Sequence, residues 1–186
     1  MVAATISAAP SSTKNASKER APEMPQTKQG NQWHFGRKAH LGVDAPSGLV
    51  PTVTGTAAHV AASAQTHELL QGQEKHRPAD AGYRGVDQRA EIVAQGKEAP
   101  WPVAAKRGKV QARAEGPSKE RTQQLEQLKA QVRARVEHPL HIIKNLCRQR
   151  KTRDRGLAKN TAQLHCLLAL ANLSIAKRSL LSTAAA

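Results

Sequence analysis

The sequence predicts an α/β fold, a sheet of mixed strand direction covered by helices. Apolar residues alternate with polar ones from Gln32 to Val43, and a turn-forming cluster and a second strand-like run follow, which predicts an antiparallel hairpin. Short strand-like runs then alternate with helical stretches through the middle of the chain. From Ser118 onward, apolar residues recur at three- and four-residue steps, the spacing of amphipathic helices. The hairpin makes the sheet mixed rather than all-parallel.

Val2 to Ser7 is a short apolar run with β-branched residues, long enough for one buried strand. Residues 8–30 are rich in Ser, Pro, Lys and Gln and predict a basic, mobile loop without a packed core. In the hairpin, Trp33, Phe35, Arg37, Ala39, Leu41 and Val43 share one face. Asp44 to Gly48 supplies the turn. Leu49 to Thr54 is the return strand, and Pro51 confines it to an edge.

Val60 to Leu70 predicts a helix with an Ala-rich face. His76 to Asp80 reads as a short strand ending at an acid. Gly82 and Gly85 form a turn, Val86 to Gln95 a helix, and Trp101 to Ala105 a further short strand. Ser118 is placed to cap the next helix, with Arg121 where a capping box prefers an acid. Leu125, Leu128, Val132 and Val136 form its apolar stripe. Pro139 cannot continue the hydrogen-bond ladder and should kink that helix or begin another. Leu157 to Leu181 is an apolar helix closing on Lys177 and Arg178, cations that suit a helix C-terminus. There is no internal repeat.

At 186 residues the chain is long enough for one domain, two at most. Its net charge of +15 attracts polyanions, so nucleic acid is the first partner and an anionic membrane surface the second. Trp33, Phe35, Tyr83 and Trp101 are all the rings present, and the hydrophobic fraction leans on Ala, so the core should be thin. That scarcity assigns Trp33 and Trp101 to the core. Cys147 and Cys166 lack metal-ligand spacing and read as reduced thiols. The apolar run from Cys166 to Ile175 is too short for a bilayer, and no basic-then-apolar leader opens the chain. A soluble cytoplasmic protein without a membrane partner is expected.

Asp80, at a strand end, and Glu137, on or beside a helix, are the candidate catalytic and metal-binding acids. Carboxylates converging from separate elements can hold the two hard cations of phosphodiester cleavage. Arg133, one turn before Glu137, and Lys144, two turns after it, would share its face and contact DNA phosphates. The plainer reading makes Asp80 a turn cap and Glu137 half of an exposed ion pair. His59 and His67 fall eight residues apart, and His138, His141 and His165 are scattered; no histidine has zinc spacing, and all read as surface or phosphate-contacting groups.

Several blocks add a resemblance. EMPQTKQGNQWHFGRKAHLGVDAPSGLV resembles the hairpin segment of insertion-sequence-five family transposases, DDE enzymes of ribonuclease-H-like fold. PSSTKN, ADAGYRG, RARVEHPLHIIK and RGLAKNTAQLHCLLALANL match in order, so the likeness spans nearly the whole chain, residues 1–186, with 118–181 as its C-terminal helices. It implies Mg²⁺ or Mn²⁺ as cofactor, DNA as partner at transposon ends and target, and a possible homo-oligomer near the bacterial nucleoid. Asp80 matches the second catalytic acid and Glu137 the third. Arg133 and Lys144 match the flanking basic residues, and Tyr83 follows the second acid as in many members.

The departures are as informative. The family places an Asp before the Ala-Thr pair of its first strand, whereas Ala3 precedes Ala4 and Thr5 here. The chain opens at that strand, so the helical N-terminal region expected by resemblance is absent. Leu140, Cys147 and Asp154 stand where rings are usual. Asp44 and Glu23 are the nearest acids in sequence that could replace the lost one. Asp44 belongs to a turn and Glu23 to the loop. The expectation is a truncated, degenerate transposase that no longer cuts. The rival is a non-catalytic DNA-binding protein that occupies transposon ends or inhibits a full-length relative. A third reading is a remnant that does not fold cooperatively.

Overall fold

The computed structural model describes residues 1–9, 23–95, 100–105 and 107–184. Strand β1 spans Val2–Ala8, β2 Gln26–Gln29, β3 Gln32–Gly42 and β4 Thr52–Ala57. β3 is the organising strand. β1 pairs antiparallel with it from Val2↔Gly42 to Ala8↔Gly36, and β4 from Gly42↔Thr52 to Arg37↔Ala57. Both partners claim the same stretch of β3, so they lie on its opposite edges and β3 is central. β2 pairs with the outer part of β3, Gln26↔Phe35 to Gln29↔Gln32.

On the outer edge of β1, Val2 N–H bonds to the Pro78 carbonyl at 3.3 Å, and Ala79 forms a parallel bridge with Val103. The strands predicted over 76–80 and 101–105 thus survive as single paired residues in the predicted places.

The turn after β3 is the one predicted. Asp44 accepts from Ser47 N–H at 3.1 Å, and Gly48 (φ 73°) takes the left-handed conformation that needs a glycine. The return strand begins three residues later than predicted, at Thr52. Pro51 has no N–H to donate, and Val50 instead exchanges hydrogen bonds with the Asn172 amide.

The helical part consists of α1 (Thr66–Leu69), α2 (Ala90–Ala94), α3 (Arg107–Gln111), α4 (Pro117–His141) and α5 (Leu157–Ala184). A π-helical turn over Ile142–Leu146 extends α4. Side chains alternate across the sheet, and each face meets its own core. Ala39, Leu41 and Val43 pack with Val136, Ile142, Ile143, Leu164, Leu168 and Ala171 of the long helices, with Ala3 at the margin. Val2 points the other way, into a smaller cluster with Leu69, Ala79, Tyr83, Val86 and Ile92. Helices therefore cover both faces of the sheet, as predicted, but among the described residues its four strands pair only antiparallel. The mixed direction expected is reduced to the isolated parallel bridges Ala8↔Lys151 and Ala79↔Val103, because the segments that would extend the sheet beyond β1 pair at single residues. Gly55 on β4 lets α5 approach at Thr161, where any side chain would collide with the threonine.

Several expectations are corrected. The loop over 8–30 ends early: Met24 is buried and β2 follows it, because Gln26 to Gln29 find free backbone partners on β3; residues 10–22 lie outside the described residues. The helix predicted over 60–70 is a single 3₁₀ turn, Ala62–Gln65, leading into the four-residue α1, and the one predicted over 86–95 is similarly divided. Ser118 caps nothing: Gly116 precedes the helix and Pro117 occupies its first position, where a missing N–H costs nothing.

Pro139 stays inside α4, buried. The ladder re-forms beyond it as the π turn, closed by Cys147 N–H to Ile142 O at 3.0 Å. Leu125 and Leu128 are exposed, because only the C-terminal half of the stripe, Val132 and Val136, reaches the sheet. α5 runs past Lys177 and Arg178 to Ala184, so its last turn carries no cation. His40 is fully buried rather than at the surface, and Trp33 is 56% exposed rather than in the core. Both follow from β3: His40 lies where β1 and β4 flank the strand, Trp33 beyond the reach of the covering helices.

Candidate nucleic-acid cleft

Asp80 follows the bridged Ala79 and opens a short 3₁₀ turn over Ala81–Tyr83, accepting from Ala81 N–H at 2.6 Å. The plain reading of a turn cap is therefore true of it. It also faces α4, where Arg133 Nη1 donates to its Oδ1 at 2.9 Å. Glu137 lies one turn after Arg133 on the same helix. Because α4 continues through Pro139, Arg133, Glu137 and Lys144 keep a common face despite the π turn.

These side chains line one cleft of ≈ 680 Å³. Ala3, Asp80 and Glu137 all contribute to its wall. Both Val2 and Ala3 border the cleft, and alternation along β1 then sends Ala3 toward the core beneath α4 and Val2 toward the smaller cluster on the other face. Neither Asp44 nor Glu23 lines the cleft. Asp44 is held by Ser47, and Glu23 accepts from Leu157 N–H at 2.6 Å, at the start of α5.

The cleft is cationic. Lys28, Lys38, Arg133, Lys144 and Arg150 line it against the two carboxylates. Burial lowers the pKa of the Lys144 ammonium, and nearby Arg150 lowers it further. Burial likewise lowers that of Lys38, whose Nζ donates to Val60 O at 2.6 Å. The Arg133 Nε is buried without a hydrogen-bond partner. Tyr83, which lines the cleft from the smaller core, has its hydroxyl buried without a partner, and burial with the Asp80 charge raises its pKa, keeping it a neutral phenol. Such a wall attracts an anion that can accept hydrogen bonds from several directions.

Two hard cations close together need several oxygen ligands. Among the described residues no three His, Cys, Asp or Glu side chains stand close enough to hold a metal ion. Ala3 offers no ligand, and Asp80 is already paired with Arg133. The residues present do not fit a pair of divalent cations.

Sequence reasoning found Asp80, Glu137, Arg133 and Lys144, and all four meet here. It missed Lys28, Lys38, His34 and Arg150. The alternation of β3 already put His34 and Lys38 on the face opposite Arg37. Lys28 was hidden inside the presumed loop, and Arg150 carried no periodic signal.

A central antiparallel trio, a flanking segment that carries an acid beside β1 and a long helix that brings a second acid over the sheet make an α/β domain with a cationic cleft. The transposase DDE domain matches residues 3–173, and the chain belongs to that family, which implies a ribonuclease-H-like fold. No solved structure matches it. No helix among the described residues is long and apolar enough to cross a membrane.

Proposed function

We propose that this chain is an insertion-sequence transposase domain of the insertion-sequence-five type that has kept a DNA-binding cleft and lost strand cleavage. Its family's reaction is metal-dependent cutting at transposon ends followed by transfer of the freed end to a target. Asp80 and Glu137 take the places of the second and third acids, and Ala3 that of the first. The observation that carries this reading is the convergence of Ala3, Asp80 and Glu137 on one cleft. What remains in the cleft is phosphate-binding chemistry: Arg133 and Lys144 from the helical side and Lys28 and Lys38 from the sheet side clamp the backbone. Self-association at paired ends is carried only by the family resemblance.

The rival reading, a non-catalytic protein that occupies transposon ends or inhibits an intact relative, is favoured by the excess of cations over acids and describes the same chain after the loss. Fluorescence anisotropy with labelled duplex DNA tests the binding function. The affinity should fall steeply with salt and stay unchanged on adding EDTA. Binding that vanishes with EDTA would mean that a metal site survives, against the proposal.

A further inference from the structure

Of the four aromatic residues, Tyr83 is buried, Phe35 and Trp101 are half-buried, and Trp33 is 56% exposed. Trp33 lies near the end of β3, paired in register with Lys28 of β2, whose ammonium stands 5.9 Å from the ring centroid. The surrounding hairpin residues are Thr27, Asn31, Gln32 and His34, with no aliphatic side chain among them. A lone ring in polar surroundings is a poor seat for an apolar protein surface. It does suit a flat, polar-edged ring that carries its own phosphate.

Thr27, Lys28 and His34 of the same hairpin line the cleft that holds Arg133, Lys144 and Arg150. A backbone tracked by those cations would pass beside the tryptophan. Exposed rings beside a cationic groove are how proteins hold unpaired bases, since every base has a π-face to stack. We propose that Trp33 stacks on an unpaired nucleobase of the DNA strand whose backbone lies in the cleft, with Lys28 neutralising the adjoining phosphate. This rests on the nucleic-acid reading above and adds a preference for frayed or single-stranded DNA.

The test compares a labelled duplex ending in an unpaired overhang with the same duplex made blunt, using the full chain, Trp33→Ala and Trp33→Phe. Trp33→Ala should lose about 10-fold in affinity for the overhang and less than about twofold for the blunt duplex. Trp33→Phe should keep most of the preference. In a Trp101→Phe background, overhang DNA should quench the remaining tryptophan emission. Equal affinity of the full chain and Trp33→Ala for the overhang would overturn the inference. So would a change in self-association with DNA affinity intact, which would assign the ring to a contact between copies. If the full chain binds neither duplex, the DNA-binding reading itself fails and the stacking role falls with it.

Discussion

Arg133, on α4, donates from Nη1 to Asp80 Oδ1 at 2.9 Å, tying the long helix to the acid beside β1 across the cleft. The acid's side chain is 66% exposed and the arginine's 34%, so the pair contributes little to stability. Its consequence is for binding. Asp80→Asn should unfold within about 1 kcal/mol of the parent and bind DNA at least as well, because Arg133 is released and a repelling carboxylate removed. Arg133→Gln should bind more weakly, with a salt slope shallower by about one. Affinity titrations across a KCl series measure both. Weaker binding by Asp80→Asn would mean that the acid works with a bound cation.

His40 couples stability to pH. Its Nε2 lies 2.7 Å from Thr56 Oγ1, which itself donates to Ala57 O, so the ring presents an Nε2 proton and leaves Nδ1 buried without a partner. Burial, with Lys38 nearby, lowers its pKa to about 4. The unfolded chain takes up the proton near pH 6.5 and the folded one near 4. The stabilisation is therefore full above pH 6.5 and is lost as pH falls through that window. Urea unfolding at pH 7 and pH 4.5 should differ by up to roughly 3 kcal/mol more in the parent than in His40→Gln. An equal pH dependence in the two would contradict this.

Glu23 acts as a cap from a distance in sequence, accepting Leu157 N–H at the start of α5. Its charge also favours the helix N-terminus. Glu23→Ala should cost about 1 kcal/mol, read by urea denaturation, and should leave DNA affinity at moderate salt unchanged. A drop in binding would bring Glu23 into the cleft after all.

The two leucine environments predict opposite outcomes. Leu164 is 1% exposed in the main core, so Leu164→Ala should cost roughly 3 kcal/mol. Leu128 is 57% exposed, so Leu128→Gln should stay within about 0.5 kcal/mol. Comparable losses in thermal unfolding would mean that the exposed half of α4 is covered in solution.

The sheet and the long helices were legible because their signals are local. β3 alternates, Asp44 to Gly48 has turn chemistry, and α5 is a sustained apolar run. The site's acids were legible through family motifs, since a strand-end Asp and a Glu among cations say little by themselves. What stayed hidden depended on partners distant in sequence. β2 is a strand only because β3 offers an edge. His40 is buried because two strands flank it, and Trp33 is bare because no helix reaches it. Lys28 and Arg150 join the cleft through tertiary placement that no spacing encodes, while the alternation of β3 fixed the face of Lys38 but not what that face would meet.

The most direct measurement is nicking of a supercoiled plasmid carrying the element's ends in Mn²⁺, comparing the chain as it stands with Ala3→Asp. Ala3→Asp returns a carboxylate to the wall shared by Asp80 and Glu137. Only Ala3→Asp should nick, and Asp80→Asn in that background should abolish cutting. Nicking by the unaltered chain would contradict this, because the first acid would then lie elsewhere.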